Sequence, residues 1–128
     1  MIQSYRELEV WQMAEEVFKT VCEDLHKFPQ NRVAWTIGDQ LIRSVGSIGA
    51  NIAEGFNRQT KKDIIHFFII ARGSAAESEV WLLRSREQKL ISDERVENLL
   101  AKLFRIRKMI NSFCAKLRQS KIISPTTN

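Results

Sequence analysis

The residues best able to carry chemistry lie in two segments, 47–58 and 67–79, where small residues stand beside ionisable ones. The polar side chains that could act together there are Asn51, Glu54, Arg58, Arg72 and Glu77. An arginine facing a carboxylate between two helices would make bidentate hydrogen bonds. Such a cluster is either a ligand or acid–base site, or a satisfied polar network that fixes helix register or a subunit contact. Because no reaction-specific motif accompanies it, the sequence favours the network or interface and predicts no catalytic residue.

Other reactive side chains are sparse. Glu23 and His26 match the Glu-x-x-His pattern of di-iron bundles, but Asp63 rather than Glu precedes His66. Ser74 has no His and Asp companions at a recognisable spacing, and phosphate-binding or dinucleotide glycine motifs are missing from the sequence. We therefore expect no metal site, no cofactor and no enzymatic activity.

Charge is distributed unevenly along the chain. Residues 1–31 hold three basic and six acidic side chains, whereas residues 92–128 hold eight basic and three acidic ones. The basic positions that could contact phosphates are Lys102, Arg105, Lys108, Lys116, Arg118 and Lys121. The alternative is that these cations complement the acidic first helix, within one subunit or across an interface. We expect no aromatic stacking residue to be interleaved with these basic positions, which argues against a platform for stacking single-stranded bases.

The composition fits one globular domain. The chain has 128 residues, with 44% hydrophobic and 27% charged residues and a net charge of +5. Its apolar runs are much shorter than the ~20 residues needed to cross a bilayer, so we expect no contact with a membrane. Cys22 and Cys114 are far apart on apolar helical faces and are expected to be reduced core thiols of a cytoplasmic protein. We predict a domain over 1–120 and a frayed tail over 121–128.

Apolar spacing predicts four helices. The first covers about 8–27, with Ser4 and Glu7 at the spacing of a capping box. The second covers about 32–54 and ends at Gly55, a natural left-handed cap residue. The third runs from a cap at Thr60 to about 88, and the fourth starts at a cap on Ser92 or Asp93. Short connections between helices of similar length favour an all-α, antiparallel up-down-up-down four-helix bundle.

Small residues interrupt the second helix. Glycine costs up to ~1 kcal/mol relative to alanine inside a helix. Gly46 and Gly49, followed by Ala50 and Ala53, therefore imply either a bend or close approach of a neighbouring helix. Close approach is the preferred interpretation.

Several short motifs resemble one protein family. They are YRELEVWQMA at 5–14, FP at 28–29, QLIR at 40–43, NIAEG at 51–55 and ARGS at 71–74, followed by Glu77. In this order, over about residues 4–118, the chain resembles the four-helix-bundle family named after proteins encoded in intervening sequences of large-subunit ribosomal RNA genes. The resemblance implies a small cytosolic bundle that forms a ring-like homopentamer.

That family is also similar in fold to the accessory protein of diversity-generating retroelements, a basic pentamer that binds a reverse transcriptase and nucleic acid. The resemblance therefore implies RNA, DNA or a reverse transcriptase as partners. A self-assembling protein that binds nucleic acid through a basic surface is the first functional hypothesis. A purely structural or protein-binding scaffold is the second.

Overall fold

The fold is an antiparallel four-helix bundle, as predicted. The structure, a computed structural model, describes residues 1–120. A short 3-10 turn over Tyr5–Glu7 precedes the four helices, which are α1 (Glu9–Leu25), α2 (Arg32–Phe56), α3 (Lys61–Glu87) and α4 (Asp93–Gln119). The predicted tail, 121–128, lies outside the described residues. None of the helices in the described part of the chain is long and apolar enough to cross a membrane.

Polar caps set the helix starts. Side-chain oxygens of Asn31, Thr60 and Ser92 accept hydrogen bonds from backbone N–H groups in the first turns of α2, α3 and α4. The capping box of Ser4 and Glu7 is present, but it caps the N-terminus of the 3-10 turn and not that of α1. Leu8 is extended and separates the two elements, so α1 starts at Glu9.

The prediction that Gly55 forms a left-handed cap is wrong. α2 continues to Phe56, and no glycine in residues 1–120 has a positive φ. A Cβ on Gly55 would lie 2.9 Å from both Phe67 Cβ and Phe68 Cδ1, so this glycine lets α3 approach closely. Within residues 1–120, the residue in the left-handed region is Lys89, with φ 59°, just after α3.

The core runs the length of the bundle. Each helix packs against two neighbours in the order α1–α2–α3–α4–α1. The largest fully buried side chains come from all four helices: Val17, Val21, Leu41, Val45, Ile48, Ile52, Phe68, Leu82, Leu99, Leu103, Ile106 and Ile110. Phe68 stacks on Phe113 with ring centroids 4.2 Å apart. In this arrangement the α1–α2 face and the α3–α4 face lie on opposite sides of the molecule.

Gly46 and Gly49 face the neighbouring helix α1, but the close approach of its backbone that the sequence suggested is not found at these two positions. A Cβ on Gly46 would lie 3.3 Å from Phe18 Cε1, and one on Gly49 would lie 3.4 Å from Trp11 Nε1. The neighbouring atoms belong to aromatic rings of α1 rather than to its backbone. These glycines therefore make room for two large side chains at the α1–α2 contact.

Candidate functional site

The structure separates the predicted polar cluster into local pairs. Arg58 Nη2 lies 2.9 Å from Glu54 Oε2, and its guanidinium lies 4.7 Å from the centroid of the Phe67 ring. Asn51 Nδ2 donates to the carbonyl oxygen of Ser47, at 2.8 Å, within α2. These partners of Asn51 and Glu54 therefore lie on α2 itself and in the loop that follows it.

Arg72 and Glu77 have different partners from those expected. Arg72 Nη1 donates to Asn111 Oδ1 on α4, at 2.8 Å. Trp81 Nε1 donates to Glu77 Oε2, at 3.1 Å, and Arg84 stacks on the Trp81 ring. An arginine–carboxylate pair that includes Arg72 is not found within residues 1–120, because Arg72 faces α4 instead of α2.

Serines form the polar contact between α2 and α3. Ser74 Oγ lies 2.9 Å from Ser47 Oγ, and Ser78 Oγ lies 3.0 Å from Ser44 Oγ. The Ser44 hydroxyl donates to the Leu41 carbonyl oxygen, and the single hydroxyl hydrogen of Ser78 is shared between Ser44 Oγ and the Ser74 carbonyl oxygen. Sequence reasoning did not pair Ser74 and Ser78 with Ser47 and Ser44, because the spacing is four residues on α3 but three on α2, and only the packing of the two helices brings them together.

The bidentate arginine–carboxylate pair that the sequence suggested occurs elsewhere. Arg107 Nε donates to Glu79 Oε2 at 2.6 Å, and Nη2 donates to Oε1 at 3.3 Å. The side chain of Arg107 is 33% exposed and that of Glu79 is 23% exposed. This pair joins α3 to α4, and sequence reasoning did not select Arg107.

Part of the basic α4 helix neutralises the acidic α1 helix within the same chain. Lys102 Nζ lies 3.8 Å from Glu16, and Arg105 Nη2 lies 3.7 Å from Glu9. Closer to the start of α4, Arg95 Nε donates to both carboxylate oxygens of Asp24, which is buried. This hydrogen bond raises the pKa of the Arg95 guanidinium, with burial acting in the opposite direction. Charge complementarity within one subunit, one of the two sequence alternatives, is therefore present.

Three predicted phosphate-contact residues are free of such pairing. Lys108, Lys116 and Arg118 are exposed, and none of them makes an ion pair within residues 1–120. Lys121 lies outside the described residues. The ammonium of Lys108 lies 5.3 Å from the centroid of the Phe104 ring, and the Arg107 guanidinium lies 5.6 Å from it. Phe104 is thus an exposed aromatic among the basic positions, which the sequence interpretation overlooked.

Large apolar side chains are exposed on α3 and α4. We call the α3–α4 ridge the set Ile69, Val80, Leu83 and Phe104, which are 37%, 43%, 42% and 50% exposed. Gly73 and Ala76 lie between Ile69 and Val80 on the same side of α3, at three- and four-residue spacing. A Cβ on Gly73 would meet nothing within 4 Å. On α3 the ridge is therefore a row of aliphatic side chains around an open, small-residue centre, and Phe104 adds an aromatic ring from α4.

A cleft lies on the opposite face, between α1 and α2. This α1–α2 cleft has a volume of about 350 Å³ and is lined by Tyr5, Trp11, Glu15, Phe18, Gly46, Gly49, Ala50 and Ala53. Tyr5 and Trp11 pack edge to face, with centroids 5.2 Å apart. A wider groove of about 930 Å³ lies at the α1–α2 corner around Trp35, which is 70% exposed.

Groups suited to metal binding or nucleophilic chemistry are not clustered. Within residues 1–120, no three His, Cys, Asp or Glu side chains come close enough to hold a metal ion. Both cysteines are free; Cys114 is buried, as expected of a core thiol, whereas Cys22 is only half-buried. Burial raises the pKa of the Cys114 thiol, although Arg118 and Arg72 act against it. Cys114 is therefore held as a neutral thiol near physiological pH.

Comparisons with known proteins agree with this architecture. The family described as 23S rRNA-intervening sequence protein matches residues 6–112. The chain is similar to a crystal structure of a protein of unknown function from the S23 ribosomal protein family of Bacteroides thetaiotaomicron, with 27% sequence identity and a TM-score of 0.76. That similarity covers 82% of this chain and 97% of the other. No curated protein matches the sequence. Since the family match covers most of α1 to α4, the chain belongs to the 23S rRNA-intervening sequence protein family.

Proposed function

We propose that this protein is a non-enzymatic, self-associating helical scaffold whose α3–α4 ridge binds a second copy of the chain. The observation that carries the proposal is the exposure of Ile69, Val80 and Leu83 on one side of α3, with Phe104 also exposed on α4. Removing apolar surface from water is favourable by roughly 25 cal/mol per Å². Large apolar side chains exposed together on one side of a helix, in a bundle that already has a closed core, are typical of an interaction surface.

Gly73 supports the same proposal. Gly38, Gly46, Gly49 and Gly55 each have a neighbouring side chain within 4 Å of a would-be Cβ, so packing inside the subunit accounts for them. Gly73 has no such neighbour, yet it carries the helix penalty of up to ~1 kcal/mol. Contact of a second copy with the backbone of α3 at this position would explain why a glycine is found there.

The measurement is the solution mass of matched variants. Glutamate at position 80 removes a ridge side chain, while Arg84 one turn later offers it a favourable pair, so folding is retained. Val33→Glu is the control, since Val33 is 52% exposed in the first turn of α2, where an acidic residue is well tolerated. We expect light scattering to give the wild-type mass for Val33→Glu and a monomer for Val80→Glu. Equal masses for both variants would exclude the ridge as the contact.

The number of subunits stays a prediction. The resemblance implies a homopentamer, and a ring of five needs two different faces to meet at each contact. The wild-type mass in the same experiment gives the number directly.

Nucleic-acid binding is a second candidate, favoured by the free cations of α4. Lys108, Lys116 and Arg118 are exposed without carboxylate partners in residues 1–120, whereas Lys102 and Arg105 face α1 carboxylates. Only the first three would then release counterions from a phosphate backbone.

A charge-reversal series tests this candidate. Labelled structured RNA and DNA are titrated at two salt concentrations with the wild type, with Lys116→Glu plus Arg118→Glu, and with Lys102→Glu. We expect the double variant to lose most of its affinity and the single variant to lose little. Absence of binding at low salt would remove the candidate. A reverse-transcriptase partner is tested separately, by co-purification with nuclease treatment.

A further inference from the structure

The wide groove at the α1–α2 corner has a volume of about 930 Å³ and a mostly apolar lining. We call it the Trp35 groove, and its apolar wall consists of Leu25, Phe28, Pro29, Ala34, Trp35 and Ile42. We propose that the Trp35 groove binds an acidic amphipathic helix of a partner protein. This inference goes beyond self-association, because no residue of the α3–α4 ridge lines the groove.

Packing within the subunit does not account for Trp35. Trp11 packs edge to face with Tyr5, and the Trp81 indole donates to Glu77. The Trp35 side chain is 70% exposed, and within residues 1–120 it makes no hydrogen bond and no aromatic ring contact. Tryptophan is over-represented among the residues that dominate binding energy, because its large rigid ring and its N–H donor are both used by a partner. We therefore assign Trp35 as the anchor for the partner helix.

The packing of α1 against α2 fixes the shape of the groove. A Cβ on Gly38 would lie 3.0 Å from Leu25 Cδ2 and 3.5 Å from Phe28 Cδ2, so the missing side chain lets both residues lie directly on α2. Trp35 and Ile42 are seven residues apart, which places them on the same side of α2 and about 10 Å from each other along its axis. Two turns of a partner helix span the same length, and a helix-in-groove contact uses apolar side chains at this spacing.

The free charges around the groove are positive. Residues 25–38 include Lys27 and Arg32 but no aspartate or glutamate. Both cations are exposed, and neither makes an ion pair in the described chain, 1–120. Asp39, the carboxylate on the groove wall, already pairs with Arg43, whose Nε lies 3.0 Å from Asp39 Oδ2. An acidic partner is therefore attracted to the groove, whereas a basic partner is repelled.

The apolar wall favours a helix over a nucleic acid as the occupant. A phosphate backbone binds through several cations along its path, and much of its affinity comes from counterion release. Lys27 and Arg32 are only two cations, whereas Leu25, Phe28 and Ile42 offer apolar surface. The apolar side of an amphipathic helix removes that surface from water, which is favourable.

Selection from an unbiased library of displayed peptides tests the proposal. Peptides of about 14 residues, roughly four helical turns, are selected on the full-length protein. We expect the enriched sequences to carry aliphatic or aromatic residues at three- and four-residue spacing, with Asp or Glu beside them. The enriched peptides are then synthesised with a fluorescein label, and fluorescence anisotropy gives Kd for the wild type and for each variant.

Two matched pairs of variants locate the binding site. Trp35→Ala removes the anchor and should weaken binding about 30-fold or more, whereas Val33→Ala, a neighbouring exposed position outside the lining, should change Kd by less than about threefold. Arg32→Glu should weaken binding about threefold to tenfold, and Lys62→Glu, the same charge change at the start of α3, should have little effect. All four positions are exposed, so thermal melts by circular dichroism should match the wild type.

A change in the peptide isolates the contribution of charge. When Asp and Glu of the best peptide are replaced by Asn and Gln, binding to the wild type should weaken about threefold to tenfold. The neutral peptide should bind Arg32→Glu at least as tightly as the acidic peptide does. An equal loss for both proteins would show that the acidic residues do not face Arg32, which overturns the charge complementarity.

The remaining outcomes separate this inference from the proposed function. Val80→Glu should bind the peptide with the wild-type Kd, because the ridge lies outside the groove. The inference is overturned if no peptide is enriched above background, if the enriched peptides are basic, or if Trp35→Ala binds as the wild type does. It is also overturned if labelled RNA, rather than any peptide, requires Trp35, or if Val80→Glu loses peptide binding. None of these results depends on the solution mass of the wild type, which tests self-association independently.

Discussion

Alanine at position 55 is expected to destabilise the protein, although alanine is the better helix former. Gly55 lies inside α2, and a Cβ there would lie 2.9 Å from Phe67 Cβ, 2.9 Å from Phe68 Cδ1 and 3.1 Å from Phe68 Cε1. Phe67 Cβ is fixed to the α3 backbone, and Phe68 is fully buried and stacked on Phe113. Relief of these contacts therefore requires α2 and α3 to move apart.

The magnitude follows from two opposed terms. Replacing glycine by alanine in a helix interior raises the free energy of unfolding by up to ~1 kcal/mol. Overpacking a close-packed core costs about 1–3 kcal/mol, and three close contacts to a fixed neighbour place the cost in the upper part of that range. The net loss in the free energy of unfolding should be about 1–2 kcal/mol. For a domain of this size, that corresponds to a decrease in Tm of roughly 3–8 °C.

Gly73→Ala is the matched control, since Gly73 is also helical but has open space around its would-be Cβ. Both variants are made in the Val80→Glu background, so that self-association does not contribute to the stability. Urea denaturation should show Gly55→Ala destabilised and Gly73→Ala stabilised by about 0.5–1 kcal/mol. Stabilisation of both variants to the same extent would refute the close approach of α3 to Gly55.

Three further predictions concern other parts of the bundle. Lys89→Gly should raise the free energy of unfolding by about 1 kcal/mol in the same urea assay, because Lys89 has φ 59° and a side chain disfavours that conformation; a loss of stability would contradict this. Asp24→Asn should lower the free energy of unfolding by about 1–3 kcal/mol, because Asp24 is buried against Arg95. By contrast, Glu54→Gln at the exposed pair with Arg58 should change it by less than ~0.5 kcal/mol. A thiol reagent should label half-buried Cys22 in the folded protein and buried Cys114 only after denaturation, with Cys22→Ser abolishing the fast reaction; rapid labelling of Cys114 would show that its helix opens.

Local signals made most of the fold predictable. The cap at Thr60 was predictable, and the cap at Ser92 was predictable to within one residue, because an N-cap depends on a side chain and a backbone group three residues apart. The end of α2 was not predictable, because Gly55 allows a close contact with α3 that sequence spacing cannot reveal. The left-handed position fell instead on Lys89, where the backbone N–H of Leu90 donates to the Ser85 carbonyl in a Schellman-type ending.

The candidate site was less predictable for a related reason. Arg72 could have faced α2 or α4, and only the packing of α3 places it beside Asn111. The pair of Arg107 with Glu79 depends on the same register. Phe104 was detectable in principle, because it falls outside the stripe of Leu103, Ile106 and Ile110 on α4. Its position beside the Arg107 guanidinium and the Lys108 ammonium follows from the same helix.

Sedimentation equilibrium of the unaltered protein over a wide dilution series tests the scaffold proposal most directly. We predict a mass that is a multiple of 14.9 kDa at high concentration and approaches 14.9 kDa on dilution or with Val80→Glu. A single species of 14.9 kDa at every concentration would contradict self-association through the α3–α4 ridge.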